Sequence, residues 1–285
     1  MAAMATAETP PLPWHTRLLV RAVNVLHSAS LRRDGTVNRF LLSLFDRHVP
    51  PNPTPDSAGV FSSDHAVSDH LRVRLFFPST PEDAGGGGKL PVVVYFHGGG
   101  FVFHSASSAR YDALCRRLAA AIPAVVASVD YRLAPEHKFP APYDDGEAAI
   151  RWVHAGAGGA LMLPPTAVFV AGDSAGGNVA HHAAARVAAV AGVVLVQPFF
   201  GGETATASER QLRDAPFASP ERIAQREYAD ALRDAGGGEE VVVAEFPDAI
   251  HGFYILDDLD DSKRLLDEVA DFVNRHHRAA STSAS

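Results

Sequence analysis

One pentapeptide, Gly172-Asp173-Ser174-Ala175-Gly176, constrains this chain more than any other feature. It follows a short apolar run at 167–171 and precedes an alanine-rich segment, 178–190, with helical spacing. A strand that ends in Gly-x-Ser-x-Gly and opens directly into a helix must make a sharp, strained turn, which the glycines permit. Such a turn lifts a serine hydroxyl above the strand ends. It also points the free N–H groups of the helix start at the same place. A phosphate-binding loop does not fit, because Asn178 and Val179 stand where Lys and Ser/Thr are needed. The rest of the chain suits this frame. Runs at 71–77, 90–96, 124–131, 167–171, 192–197 and 240–246 read as strands. Segments at 111–121, 144–154, 178–190, 220–235 and 262–276 read as helices, with two more helical stretches inside 14–46. The alternation predicts an α/β fold, a mainly parallel sheet with helices on both faces.

Two further motifs supply chemistry in the right chain order. His97-Gly98-Gly99-Gly100 follows the strand at 90–96 and leaves backbone N–H groups for a developing oxyanion. The expected oxyanion hole combines the N–H groups of Gly98, Gly99 and Ala175. His251 follows the last apolar run, and a histidine there can take the proton of Ser174 as general base. The other histidines are weaker candidates, and the doublets His181-His182 and His276-His277 read as helix-surface residues.

Composition closes off several classes. With 25 basic and 33 acidic residues the formal charge is -8, which argues against nucleic-acid binding. The single cysteine, Cys115, excludes an internal disulfide framework and a Cys-x-x-Cys metal site. It fits a reducing compartment. The first 16 residues lack the pattern of a secretory signal, and the apolar stretch at 18–26 is too short and polar to span a bilayer. The expectation is a cytoplasmic protein with no membrane span, acting on a small-molecule ester with no metal and no organic cofactor; oligomeric state is not legible.

A resemblance then becomes specific. HGGGF at 97–101, DYRLAPEH at 130–137, FPAPYDD at 139–145, GDSAGGN at 172–178 and HGF at 251–253 together resemble the plant carboxylesterases of the hormone-sensitive-lipase-like α/β hydrolases. The likeness runs over about 13–273, and Asp-Gly-Thr-Val-Asn at 34–38 resembles the N-terminal arm of these enzymes. It implies the α/β-hydrolase fold, with an N-terminal helical cap at 14–56 over the pocket and a hydrolase domain at 57–277. Residues 1–13 and 278–285 are expected to be disordered. Tyr131, Arg132, Glu136 and Asp145 lie in family motifs and read as scaffold bracing the loops. Phe101, Phe103, Phe199, Phe200, Phe253 and Tyr254 read either as an apolar acyl pocket or as core.

The sequence also departs from the family. The expected order is Ser, then Asp/Glu, then His, with the acid on a turn after the penultimate strand. Between 197 and 240 there is polar loop and then helix, so one sheet strand and its acid-bearing turn are missing, the gap falling between about 209 and 225. Loss of a triad acid lowers kcat by roughly 10⁴-fold. Glu203 and Asp214 are candidate stand-ins, Asp248 a weaker one. If the run at 240–246 pairs directly with 192–197, His251 moves sideways by roughly 4.8 Å, one strand spacing. Three readings stay open. The first is a serine carboxylesterase in which Ser174 attacks a small uncharged ester and His251 relays the proton. The second is a small-molecule, hormone-like binding protein without turnover. The gibberellin receptors of the same family have lost the catalytic histidine, and His251 argues against that role here. The third is an inactive shortened isoform.

Overall fold

Every residue of strands β3 (Val92–Phe96) and β5 (Val168–Asp173) is buried, and the fold is built outward from them. The computed structural model describes residues 13–79, 90–161, 164–201, 221–235, 240–247 and 249–283. In chain order the other elements are α1 (Trp14–Ser30), α2 (Arg39–Ser43), β1 (Val60–Ala66), β2 (Arg72–Pro78), α3 (Ala109–Ala121), β4 (Val125–Asp130), α4 (Ala141–His154), α5 (Ala175–Ala184), β6 (Gly192–Val196), α6 (Glu221–Asp234) and α7 (Asp260–Ser283). The six strands form one sheet in the order β1-β2-β4-β3-β5-β6. β1, β2 and β4 pair antiparallel, and every other pairing is parallel.

A parallel sheet must be covered on both faces, and the alternation of side chains sorts the core accordingly. Val93, Tyr95 and Phe169 pack with Leu114 and Leu118 of α3 and with Val269 and Val273 of α7. Val92, Val94, Phe96 and Val170 pack with Ile150 and Val153 of α4 and with Val179 and Ala180 of α5. Each such large side chain, fully buried, contributes about 1.5–3 kcal/mol. The register matters for the site. Phe96 lies opposite Gly172, so the glycine run after β3 and the turn after β5 leave the sheet side by side.

The structure corrects the sequence reading in five places. First, β1 is a strand that hydrophobic alternation does not reveal. Its inward Ser62 is 1% exposed and is satisfied by accepting from Arg116 and the Asn52 N–H. Second, residues 240–246 are not a strand, although three consecutive valines favour one. Val242 is 48% exposed, and the segment is held instead by ion pairs from Arg226 to Glu245 and from Arg275 to Glu240. Third, β6 is therefore the edge strand among the described residues, and none of its residues is fully buried. Fourth, α7 runs through Ser283, so the helix continues into the tail read as disordered. Fifth, the helix read at 178–190 spans Ala175–Ala184 and so opens directly on Ser174. In the arm, Trp14, Leu18, Val25, Phe40 and Leu44 are exposed. No helix among the described residues is long and apolar enough to cross a membrane.

Candidate active site

Ser174 sits between β5 and α5 with φ 51° and ψ -119°. A non-glycine residue in that region stores backbone strain. The turn is possible because of what surrounds it. A Cβ on Gly176 would overlap the carbonyl oxygens of Phe96 and His97, so only glycine lets α5 approach the end of β3. The turn is pinned on its far side as well. The Ser174 N–H donates to the Val196 carbonyl (3.0 Å), and the Phe199 N–H donates to the Ser174 carbonyl (2.9 Å).

His251 lies where the nucleophile needs it. Its Nε2 is 3.0 Å from Ser174 Oγ, within hydrogen-bond reach. The sideways displacement that direct pairing with β6 would bring does not arise, because 240–246 leaves the sheet. His251 is exposed and Ser174 half-buried, so a solute can reach the pair.

The strongest polar feature of the site is one the sequence reading passed over. Asp173 is 1% exposed and gathers four donors. Tyr95 (2.7 Å) and the Gly98 N–H (2.9 Å) donate to one oxygen; Tyr111 (2.9 Å) and Tyr254 (2.8 Å) donate to the other. Burial pushes its carboxyl above the usual carboxylate range, while the three hydroxyls and the Gly98 N–H pull the other way. One carboxylate thus ties together β3, the glycine run, α3, the serine turn and the turn after His251. This changes the oxyanion assignment. The Gly98 N–H faces Asp173 and the Tyr111 hydroxyl, so it is not available to a substrate. Gly99, whose φ is 118°, and Gly100 come next, and the Ala175 N–H opens α5 beside Ser174.

The motif residues read as scaffold make bracing contacts. Arg132 donates to both Asp145 oxygens, and Asp145 is 1% exposed. The Tyr131 hydroxyl donates to the His97 carbonyl (2.6 Å), and its ring stacks on the His97 imidazole. Burial holds the His97 pKa down to about 4, so this histidine is neutral near pH 7. Glu136 pairs with Arg39 of α2, which also donates to the carbonyls of Val102 and Ala134. The aromatics divide. Phe253 and Tyr254 are core, Phe101 and Phe103 are half-buried, Phe199 is 37% exposed, and Phe200 lies against Tyr228. His181 and His182 contact Tyr228 and Tyr143, and His277 bonds Thr166. Among the described residues no cluster of His, Cys, Asp and Glu could hold a metal. Glu203, Asp214 and Asp248 lie outside the described residues.

No sequence motif marks Gln197. It follows β6 with φ 42° and bonds the peptide groups on either side of His251.

Comparison with known proteins identifies the fold and the family. The family model for the alpha/beta hydrolase fold matches residues 93–226. The rice (Oryza sativa subsp. japonica) gibberellin receptor GID1 is 34% identical over 340 aligned positions, spanning 92% of this chain and 94% of the receptor. That aligned length exceeds the 285 residues of the chain, so the receptor carries segments with no counterpart here. Carboxylesterase 20 of Arabidopsis thaliana is 35% identical over 202 residues, 66% of this chain and 62% of that protein. Among solved structures, an esterase of the archaeon Pyrobaculum calidifontis superposes with a TM-score of 0.72 at 26% identity, over 95% of this chain and 99% of the esterase. With its serine turn, its sheet order and relatives of both kinds, the chain belongs to the hormone-sensitive-lipase-like α/β hydrolases, the family of the plant carboxylesterases and the gibberellin receptors.

Proposed function

We propose that this chain is a serine carboxylesterase acting on small uncharged esters. The observation that carries the reading is the 3.0 Å approach of His251 Nε2 to Ser174 Oγ. Ser174 attacks the ester carbonyl while His251 accepts its proton, then returns it to the leaving alcohol. The tetrahedral oxyanion is held by the N–H groups of Gly99, Gly100 and Ala175, with Gly98 serving as the anchor of that loop. Water, deprotonated by His251, then cleaves the acyl-enzyme. The arm at 14–56 acts as a cap. Its contacts support this: His27 of α1 stacks on Phe103 at 4.1 Å, and Arg39 grips the carbonyls of Val102 and Ala134.

Hydrolysis of p-nitrophenyl acetate by the purified chain, beside Ser174→Ala and His251→Ala, tests the reading. Turnover that vanishes in both variants supports it. Equal rates in all three proteins would sink it. Glu203→Gln, Asp214→Asn and Asp248→Asn identify the orienting acid, since removing that acid lowers kcat by roughly 10⁴-fold. A second reading, ligand binding without turnover, is favoured by the match to a gibberellin receptor across 92% of the chain. It requires saturable binding of a small apolar acid or ester that Ser174→Ala leaves intact, with no Ser174-dependent product.

A further inference from the structure

Residues 240–246 run up to His251 without joining the sheet, so among the described residues no strand leads into the loop that carries the histidine. Something else must hold the ring within hydrogen-bond reach of Ser174, and Gln197 is placed to do it. The Gly252 N–H donates to its Oε1 at 2.9 Å, and its Nε2 donates to the Ile250 carbonyl at 3.3 Å. These peptide groups flank His251 on both sides. The neighbouring residue, Val196, accepts from the N–H of Ser174 at 3.0 Å. A short chain of bonds therefore runs from the backbone of the nucleophile, through the end of β6, to the backbone of the histidine. Gln197 holds this position with φ 42°, a conformation that a non-glycine residue adopts at a cost.

We infer that Gln197 is a positioning residue for His251, its side-chain amide doing for the histidine loop what sheet pairing would otherwise do. The inference rests on the Ser174–His251 reading for its kinetic consequence but not for its structural one. The turn has a second anchor three residues on, where Tyr254 donates to Asp173. Loss of Gln197 therefore leaves the turn folded and frees the segment around His251. The effect falls on the chemical step rather than on substrate binding.

The test uses two variants of the full chain. Gln197→Asn tolerates the left-handed backbone but is one methylene too short for either contact. Gln197→Glu keeps the acceptor for the Gly252 N–H and loses the donor to Ile250. The first readout is hydrogen exchange at the Gly252 amide, which needs no turnover. Exchange about tenfold faster in Gln197→Asn, and near wild type in Gln197→Glu, is the expected result. The second readout is p-nitrophenyl acetate kinetics. In Gln197→Asn kcat is expected to fall about 10- to 100-fold with KM unchanged, because small misplacements of a catalytic group are costly. In Gln197→Glu activity partly returns. The acid limb of the pH–kcat profile moves upward, since the new carboxylate favours the imidazolium of His251. Unchanged exchange at Gly252 in Gln197→Asn overturns the inference, as does faster exchange with unaltered kcat. A wild-type chain with no Ser174-dependent turnover overturns the esterase reading alone, and the exchange result then decides the anchoring role of Gln197 by itself.

Discussion

Removing the Tyr254 hydroxyl should destabilise the chain more than a buried tyrosine-to-phenylalanine change usually does. Tyr254 is 3% exposed, and its hydroxyl donates at 2.8 Å to a carboxylate that is itself 1% exposed. Phenylalanine fills the same space, so no cavity opens and the whole effect is the lost bond. A hydrogen bond to a charged group is worth about 1.5–3 kcal/mol. Tyr111 still serves the same oxygen and Tyr95 with Gly98 the other, so the carboxylate is not orphaned and the lower half of that range applies. A loss of about 1.5–2 kcal/mol corresponds to a fall in Tm of roughly 3–8 °C for a chain of this size. Urea unfolding followed by circular dichroism measures it directly.

The double variant Tyr111→Phe/Tyr254→Phe sharpens the test. Both donors to one Asp173 oxygen are then gone, and that oxygen is left buried and bare. The cost should exceed the sum of the single changes by about 0.5–3 kcal/mol, the coupling seen within a shared network. Asp173→Leu strands three buried hydroxyls at about 1–3 kcal/mol each, enough to consume most of a domain's 5–15 kcal/mol. A Tyr254→Phe midpoint equal to wild type, or strict additivity in the double variant, would refute the argument that Asp173 organises the site.

Three further outcomes follow from the same contacts. Gly176→Ala places a methyl group against the carbonyls of Phe96 and His97, which cannot swing aside, and should cost about 3 kcal/mol or more; a wild-type urea midpoint contradicts this. His27 of α1, beside Phe103, His104, Asp46 and Arg110, has its pKa lowered from 6.5 to about 4 by burial first and then by His104, so docking of α1 is strongest above pH 6.5 and weakens as pH falls from 6.5 towards 4. Amide exchange over 14–30 reports it, and His27→Phe should abolish the pH dependence; if it persists in that variant, another group is responsible. Burial pushes the Cys115 thiol up, so a thiol reagent should modify it only as fast as the native chain opens; rapid stoichiometric labelling in native buffer contradicts the packing of α3.

The central strands and the serine turn were legible because their sequences carry the physics locally. The runs at 92–96 and 167–171 are continuous and apolar because both faces of the sheet are covered, and Gly176 is glycine because a carbonyl occupies the place of its Cβ. Other features depend on partners distant in the chain. Ser62, Ser63, Asp64 and His65 form a strand because Arg74 and Arg116 reach across to satisfy Asp64 and Ser62, which no local pattern announces. The valines at 241–243 carry strand propensity, yet propensity forms a strand only where an edge is offered in register. A glycine run signals available N–H groups; that Gly98 is already engaged becomes visible only with Asp173, 75 residues on, beside it. Gln197 is one polar residue after an apolar run, and nothing in its surroundings marks it.

A shorter sheet would displace the histidine if the strand before it were what holds it. Here the loop is fixed by side chains instead: Gln197 on either side of His251, Tyr254 on Asp173, and Phe246 against Phe253 at 5.0 Å. The consequence of an edge with no further described strand falls elsewhere, on β6, whose Val193 is 38% exposed where β3 and β5 are buried. Exposure at an edge weakens folding and invites association, but it does not move a proton acceptor. Stability and chemistry are therefore separable in this chain. A change at the exposed Val193 should alter melting and solubility while leaving the 3.0 Å Ser174–His251 contact in place, and a change at Gln197 should do the reverse.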